Sequence, residues 1–130
     1  MGYRKALEQA RLPFDPDLIQ HLPTDAAKVR EAVRSVMQNQ RPDAFLCSNE
    51  IFLLGTIAGA RDCASKSLDQ IGFSFRAATS LGAYLGLRLS ASYYPRHAVG
   101  WQLADLMLRR LKGQPQETLH RLVQCDLRRY

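Results

Sequence analysis

The sequence predicts an α/β fold built on a parallel sheet. Two short apolar runs, Ala44-Phe45-Leu46-Cys47 and Leu68-Asp69-Gln70-Ile71-Gly72-Phe73, are too short for helices and have the consecutive apolar character of covered strands. Between and beyond them lie segments whose apolar residues recur at three and four, the spacing of one helix face. A strand–helix alternation of this kind leaves few arrangements other than right-handed crossovers, which place helices on the faces of a parallel sheet.

Taken in order, residues 2–11 set Tyr3, Ala6, Leu7 and Ala10 on one helical stripe, and Pro13 and Pro16 end it. Residues 18–22 form a short apolar stretch closed by Pro23, read as a strand, with Thr24 and Asp25 offering oxygens to cap the next helix. From Ala26 the stripe Val29, Ala32, Val33, Val36 and Met37 marks a helix that residues 38–42 stop. The strand at 43–48 follows, with Ser48, Asn49 and Glu50 at its carboxyl end, and residues 50–64 are a third helix. In that helix Gly55 and Gly59 stand one turn apart, where a neighbouring backbone can approach closely. Residues 67–75 are the second covered strand, ending near Ser74, and 76–86 read as a Gly- and Ala-rich loop. Over 87–94, Leu87, Leu89, Ala91 and Tyr93 alternate with Arg88, Ser90, Ser92 and Tyr94, the pattern of a half-buried or edge strand that Pro95 ends. Residues 99–112 form an amphipathic helix with Leu103, Ala104, Met107, Leu108 and Leu111 on one stripe, Trp101 in core or interface, and Gly113 as its stop. Residues 119–127 read as a final strand. No internal repeat and no domain-sized linker interrupts the chain.

The 130 residues are 46% hydrophobic, enough for one core. The formal charge of +6 raises nucleic-acid binding, but the basic residues do not form a motif: Arg109, Arg110 and Lys112 suit the negative end of a helix dipole. Cys47, Cys63 and Cys125 are odd in number and lack C-x-x-C spacing, which speaks against a disulfide framework or a zinc site and fits a reducing, cytoplasmic compartment. The longest nearly apolar run, 51–60, is well short of the roughly 18 residues of a membrane span, and no signal peptide opens the chain. Cys47 or Cys125 with His21, His97 or His120 would be the elements of a nucleophilic site. No catalytic motif joins them, and Cys47 lies in an apolar strand where a thiolate is disfavoured, so no enzyme, metal site or cofactor is expected. A receiver-type domain would need an acidic cluster at strand ends, and a phosphate-binding domain a Gly-rich turn; neither is present.

Over nearly its whole length the order of motifs resembles the LacI/GalR-type transcriptional regulators. Gly2-Tyr3-Arg4-Lys5-Ala6-Leu7 matches the family's GF-x-x-AL helix. Arg41-Pro42-Asp43-Ala44-Phe45 leads to Cys47-Ser48-Asn49-Glu50 and Leu54-Gly55; Gln70-Ile71-Gly72-Phe73 matches the V-x-GFDD strand; and Tyr94-Pro95 with Gly100 matches the QP-x-x-x-x-G segment ahead of Leu-rich 103–113.

The resemblance implies a three-layer parallel-sheet lobe of a periplasmic-binding-protein-like fold with a crossing amphipathic helix. Residues 1–130 would be the C-terminal part of a sugar/effector-binding and dimerisation domain, with the helix within 97–113 belonging to a first lobe outside this chain and Met1 marking a truncated or engineered start. The implied function is sensing of a small-molecule effector, a sugar or sugar phosphate, by a cytoplasmic homodimer, coupled to operator DNA only through a helix-turn-helix head not in this chain. The alternative is a fragment of a stand-alone periplasmic-type small-molecule binding protein. By position, Asn49, Ser74, Tyr94, Thr24 and Pro23 would contact the ligand, and Leu54, Arg76 and Tyr84 would lie at the dimer interface. Asn49 has a second reading, as a helix cap. Ser74 replaces the aspartate common in relatives, a loss that a phosphorylated or acidic effector would tolerate best, because like charges repel.

Overall fold

The computed structural model describes residues 2–63 and 67–130. Four helices, α1 (Gly2–Gln9), α2 (Ala26–Asn39), α3 (Glu50–Asp62) and α4 (Arg96–Leu111), are interspersed with four strands, β1 (Ala44–Cys47), β2 (Gly72–Ala77), β3 (Leu89–Tyr93) and β4 (Asp126–Arg129). The strands form one sheet in the order β1-β2-β3-β4. The first three are parallel, with Leu46 opposite Ser74 and Ser74 opposite Ser90, and β4 runs antiparallel to β3, with Arg129 opposite Ser90.

The two faces of this sheet differ sharply, as alternation along each strand requires. One face presents Cys47, Phe73, Phe75, Ala77, Leu89 and Ala91, all buried, against Val29, Val33 and Met37 of α2 and Leu53, Ile57 and Ala60 of α3. The rings of Phe45 and Phe73 stack at 6.2 Å. The other face presents Ala44, Leu46, Gly72, Arg76, Ser92 and Arg129, all exposed, with Ser74 and Ser90 partly so. Leu46 in the β1 run is therefore 66% exposed, where a strand covered on both sides was expected.

The close packing of α2 on α3 rests on the two glycines. A Cβ on Gly55 would stand 2.6 Å from the Ala26 carbonyl oxygen and 2.7 Å from Val29 Cβ; one on Gly59 would stand 2.5 Å from the Arg30 carbonyl oxygen and 2.9 Å from Val33 Cβ. Because 26 meets 55 and 30 meets 59, the two helices run parallel. Asp25 caps α2, its Oδ1 accepting from the amides of Ala27 and Lys28. At the far end Arg30 holds Asp62 through two bonds, Nε to Oδ2 at 2.6 Å and Nη2 to Oδ1 at 2.9 Å.

Several boundaries depart from the sequence expectation for identifiable reasons. Residues 18–22 are not a strand: a 3-10 turn at Pro16–Leu18 precedes extended chain that joins no sheet edge, while Leu22 packs against the core. The second strand starts later than 67, because Leu68–Gln70 is a 3-10 turn and β1 offers Gly72 its first partner at Ala44. It also runs further, since Tyr93 of β3 still pairs with Ala77, so Arg76 belongs to a strand rather than to the expected loop. The final strand is shorter and later than 119–127, limited to the residues that find β3. Beyond it Tyr130 exchanges both backbone hydrogen bonds with Leu89 and lays its ring over Gly82, where a Cβ would lie 2.5 Å from Cε2.

The helix expected at 99–112 begins at Arg96 and ends against Gly113, whose positive φ of 84° and whose amide, donating a hydrogen bond to the Arg110 carbonyl, form the anticipated stop. None of its residues is buried. Trp101 is 67% exposed rather than in a core, and Met107 and Leu111 are 66% and 81% exposed. Ala64, the expected end of the third helix, lies outside the described residues.

Two outcomes follow from the α2–α3 pair. Gly55→Ala and Gly59→Ala should each destabilise by ~1–3 kcal/mol through overpacking, although alanine is the better helix former. Gly100→Ala, in α4 with nothing within 4 Å, should instead stabilise by ~0.5–1 kcal/mol; urea denaturation of the three variants reads the opposite signs. The Arg30 hydrogen bond holds the Asp62 carboxyl below its ordinary range, with the guanidinium charge acting in the same direction. The pair therefore contributes stability above the ordinary carboxylate pKa and loses it as pH falls through the depressed folded value. The stability difference between the parent and Asp62→Asn, followed by urea melts across the acid limb, should shrink toward zero as that value is passed.

Candidate functional site

On an open parallel sheet, ligands collect beyond the carboxyl ends of the strands. Here the carboxyl ends of β1, β2 and β3 lead into Ser48-Asn49, Ala78-Thr79 and Tyr94, which form one rim. The parallel run of α2 and α3 brings both helix N-termini, and so Pro23 and Thr24 as well as Asn49, toward the same end. Local chemistry shapes each piece.

Asn49 is the N-cap of α3, its Oδ1 accepting from the Phe52 amide at 3.0 Å. The capping role is present in the structure, and the Nδ2 group is left as a donor. Glu50, the next residue, crosses from α3 to the end of β2. Its Oε1 accepts from the amides of Ala78 at 3.2 Å and Thr79 at 2.9 Å and from the Thr79 hydroxyl at 2.6 Å. A single carboxylate oxygen thus ties two strand ends together, and charge-assisted bonds of this type are the stronger class. Thr79 passes the link on, its Oγ1 accepting from the Leu81 amide.

The expected ligand residues are distributed unevenly about this rim. Asn49 and Tyr94 stand on it, and Tyr94 donates its amide to the Ala77 carbonyl, extending the β2–β3 ladder by one rung. The Arg76 guanidinium lies 5.5 Å from the Tyr94 ring centroid. Pro23 and Thr24 are exposed just before α2. Ser74 sits three residues before the end of β2, in mid-strand on the open face, because the strand runs on to Ala77. A cavity of about 1320 Å³ runs along β1 and over that face; of the five, it takes in only Ser74. Among the expected interface residues, Leu54 is 43% and Tyr84 83% exposed, whereas Arg76 is separated from Tyr84 by the end of β2 and lies on the open face beside Tyr94.

Sequence reasoning missed Glu50 and Thr79. The signal available was a carboxylate in the first turn of a helix, which the dipole alone explains, and a Thr-Ser pair after a strand. Their meeting needs the β1–β2 register. The Cys47 thiol is buried and donates to Thr56 Oγ1 at 3.5 Å, and burial pushes its pKa up. Among the described residues no cluster of His, Cys, Asp or Glu could hold a metal ion, and no helix is long and apolar enough to cross a membrane.

Comparison with known proteins bears on the fold. No family profile matches the chain. It is 26% identical over 119 residues to the HTH-type transcriptional repressor PurR of Aliivibrio fischeri, and 25% identical over 117 residues to the PurR repressor of Aliivibrio salmonicida. Each alignment takes in 89% of this chain but only 35% of the repressor, so the chain spans about a third of the length of these relatives. The crystal structure of a regulatory protein of the LacI family from Chloroflexus aggregans superposes with a TM-score of 0.81 at 22% identity, covering 97% of this chain and 46% of that one. In sequence the chain is thus similar to repressors of the LacI/GalR type, and in fold it has the architecture of a periplasmic-binding-protein-like lobe such as the LacI-family regulatory protein contains.

Proposed function

We propose that the chain is the C-terminal part of an effector-binding and dimerisation module, sensing a small molecule of the sugar or sugar-derivative class for a transcriptional regulator. The observation that carries this reading is the rim: three parallel strand ends, two of them tied by Glu50 and the third joined through the Tyr94 amide, with polar groups at Asn49 and Tyr94 standing on it. Thr24 and Pro23, at the same end, would close the pocket's side. Operator DNA would be bound by a helix-turn-helix head in another part of the protein. The module works where the regulator does, in the cytoplasm.

The surface supports a lobe made to be covered. The chain exposes 9490 Å², whereas a self-contained protein of 14.7 kDa exposes about 6,900 Å². That excess is on the order of what a permanent interface removes from water. Much of it lies on α4, whose Leu103, Met107, Leu108 and Leu111 form an uncovered stripe. The helix within 97–113 would pack on the module's first lobe, and Leu54 and Tyr84 would face a second protomer.

Calorimetric titration of the chain with neutral monosaccharides and their phosphates tests the pocket. Asn49→Asp keeps a capping oxygen and so should leave stability unchanged, yet it removes the Nδ2 donor and should weaken effector binding by about tenfold, the equivalent of ~1.4 kcal/mol. Binding that is indifferent to this change, or a folded chain that binds no member of the panel, would remove the rim from consideration. Glu50→Ala unties the strand ends and should cost ~1–3 kcal/mol in urea melts. Sedimentation should find a dimer at about 100 μM, within the affinity range of weak association; a monomer at that concentration contradicts the interface.

A further inference from the structure

The sheet face that no helix covers is neither apolar nor electrically balanced. Across β2, β3 and β4 the register sets Ser74 beside Ser90 and Ser90 beside Arg129, and sets Arg76 beside Ser92. Arg88 precedes β3 on the same alternation and is exposed. The central strand thus forms a floor of two serine hydroxyls, with Arg76 rising from the strand on one side and Arg129 from the strand on the other. Arg129 is level with Ser90, and Leu127 is the residue across from Arg76 and Ser92, so the arginine stems stand on a diagonal of two strand spacings and two residues, about 12 Å apart, within the combined reach of two guanidiniums converging on one anion over β3. Neither arginine, nor Arg88, takes part in an ion pair or side-chain hydrogen bond among the described residues. Arg76 has only the face of Tyr94, which leaves its N–H fork without an acceptor.

The face also borders a cavity that is partly open to solvent. The cavity of about 1320 Å³ includes Ser74, Arg76, Ser90, Ser92 and Arg129 in its wall, and its apolar wall includes Tyr3, Leu18, Ile19 and Leu46. The acid among its lining residues is Asp69, which lies before the amino end of β2 and accepts from the Ser67 hydroxyl at 3.5 Å. Arginine forks match the paired oxygens of phosphate and carboxylate, and serine hydroxyls add donors that carry no charge. Positive charge gathered on the floor of the cavity, with Asp69 set apart before the amino end of β2, selects an anion; the apolar wall selects a body attached to it.

We propose that this sheet face binds an anionic small molecule, a phosphate or carboxylate group on an apolar body, with the anion held between Arg76 and Arg129 over Ser90 and Ser92. The site is separate from the rim at the strand ends and does not depend on the rim being an effector pocket. Ser74 contributes here as a hydroxyl on the floor, where a carboxylate would repel the anion.

The test is a titration of the ¹⁵N-labelled chain with phenyl phosphate, with phenol as its neutral counterpart and inorganic phosphate as the bare anion. Phenyl phosphate should shift the Nε–H signals of Arg76 and Arg129 saturably and bind more tightly than inorganic phosphate, while phenol leaves those signals in place. The double variant Arg76→Gln/Arg129→Gln should weaken phenyl phosphate by about tenfold or more, whereas Arg61→Gln/Arg96→Gln, which removes the same charge elsewhere, should change it by less than about twofold. Ser92→Asp sets a carboxylate between the two guanidiniums and should abolish binding in a chain whose amide spectrum shows it folded. Equal weakening by the two double variants would reduce the effect to net charge and overturn the site. Shifts from phenol equal to those from phenyl phosphate, or no saturable shift in the folded chain, would overturn it as well. Sugar binding at the rim that survives Arg76→Gln/Arg129→Gln separates the fate of this site from that of the effector pocket.

Discussion

The close approach of α2 to α3 is the constraint on which the rest of the structure depends. Two missing side chains, at Gly55 and Gly59, let the backbone of one helix meet carbonyls and valines of the other at distances that no Cβ could share. Only at that separation can two parallel helices lie side by side over a sheet four strands wide and bury Phe73, Phe75, Leu89 and Ala91 together. The same parallel run points both N-termini toward the strand ends, so the packing that makes the core also makes the rim. Arg30 and Asp62 hold the far end of the pair, and Asp25 and Asn49 complete the near end by capping.

A sheet held this way has one finished face. Alternation sends apolar side chains to the helices and leaves serines, arginines and the bare Leu46 and Leu127 on the other side. Parallel sheets are ordinarily covered on both faces, because the crossover connections supply helices to each. Here the helix layer on the described elements lies on one side, and the opposite face meets the cavity bordered by Tyr3 and by residues 18–20. Polar composition is what makes an open face tolerable in water. Arginine, rather than glutamate or a balanced mixture, is what gives it a preference among ligands.

The strand ends show how little chemistry is needed to organise a rim. One Glu50 oxygen accepting three bonds joins β1's exit to β2's exit, and a one-residue extension of the ladder at Tyr94 brings in β3. These are backbone-directed interactions, so they fix where side chains begin without consuming the side chains that point outward. Asn49 shows the economy of this arrangement, since capping uses its oxygen and leaves its amide nitrogen.

Local order was legible in the sequence wherever one element sufficed to explain it. The stripe from Val29 to Met37, the run from Ala44 to Cys47, the alternation around Ala91 and the stop at Gly113 each carry their own period or backbone requirement, and each lies where those periods put it. The glycine pair in α3 announced a close neighbour, and the order of motifs announced the LacI/GalR architecture. What the tertiary structure decided was register and partnership. Where β2 starts and stops depends on β1 and β3, so Ser74 moved into mid-strand and Arg76 out of a loop. Residues 18–22 have strand-like composition but join no sheet edge, and the final strand exists only as far as β3 accepts it. The Glu50 link and the paired arginines over Ser90 and Ser92 join residues 28 to 53 positions apart in the chain. A hydrogen bond or a shared face between distant segments leaves no period in the sequence, and so only the folded chain could assemble them.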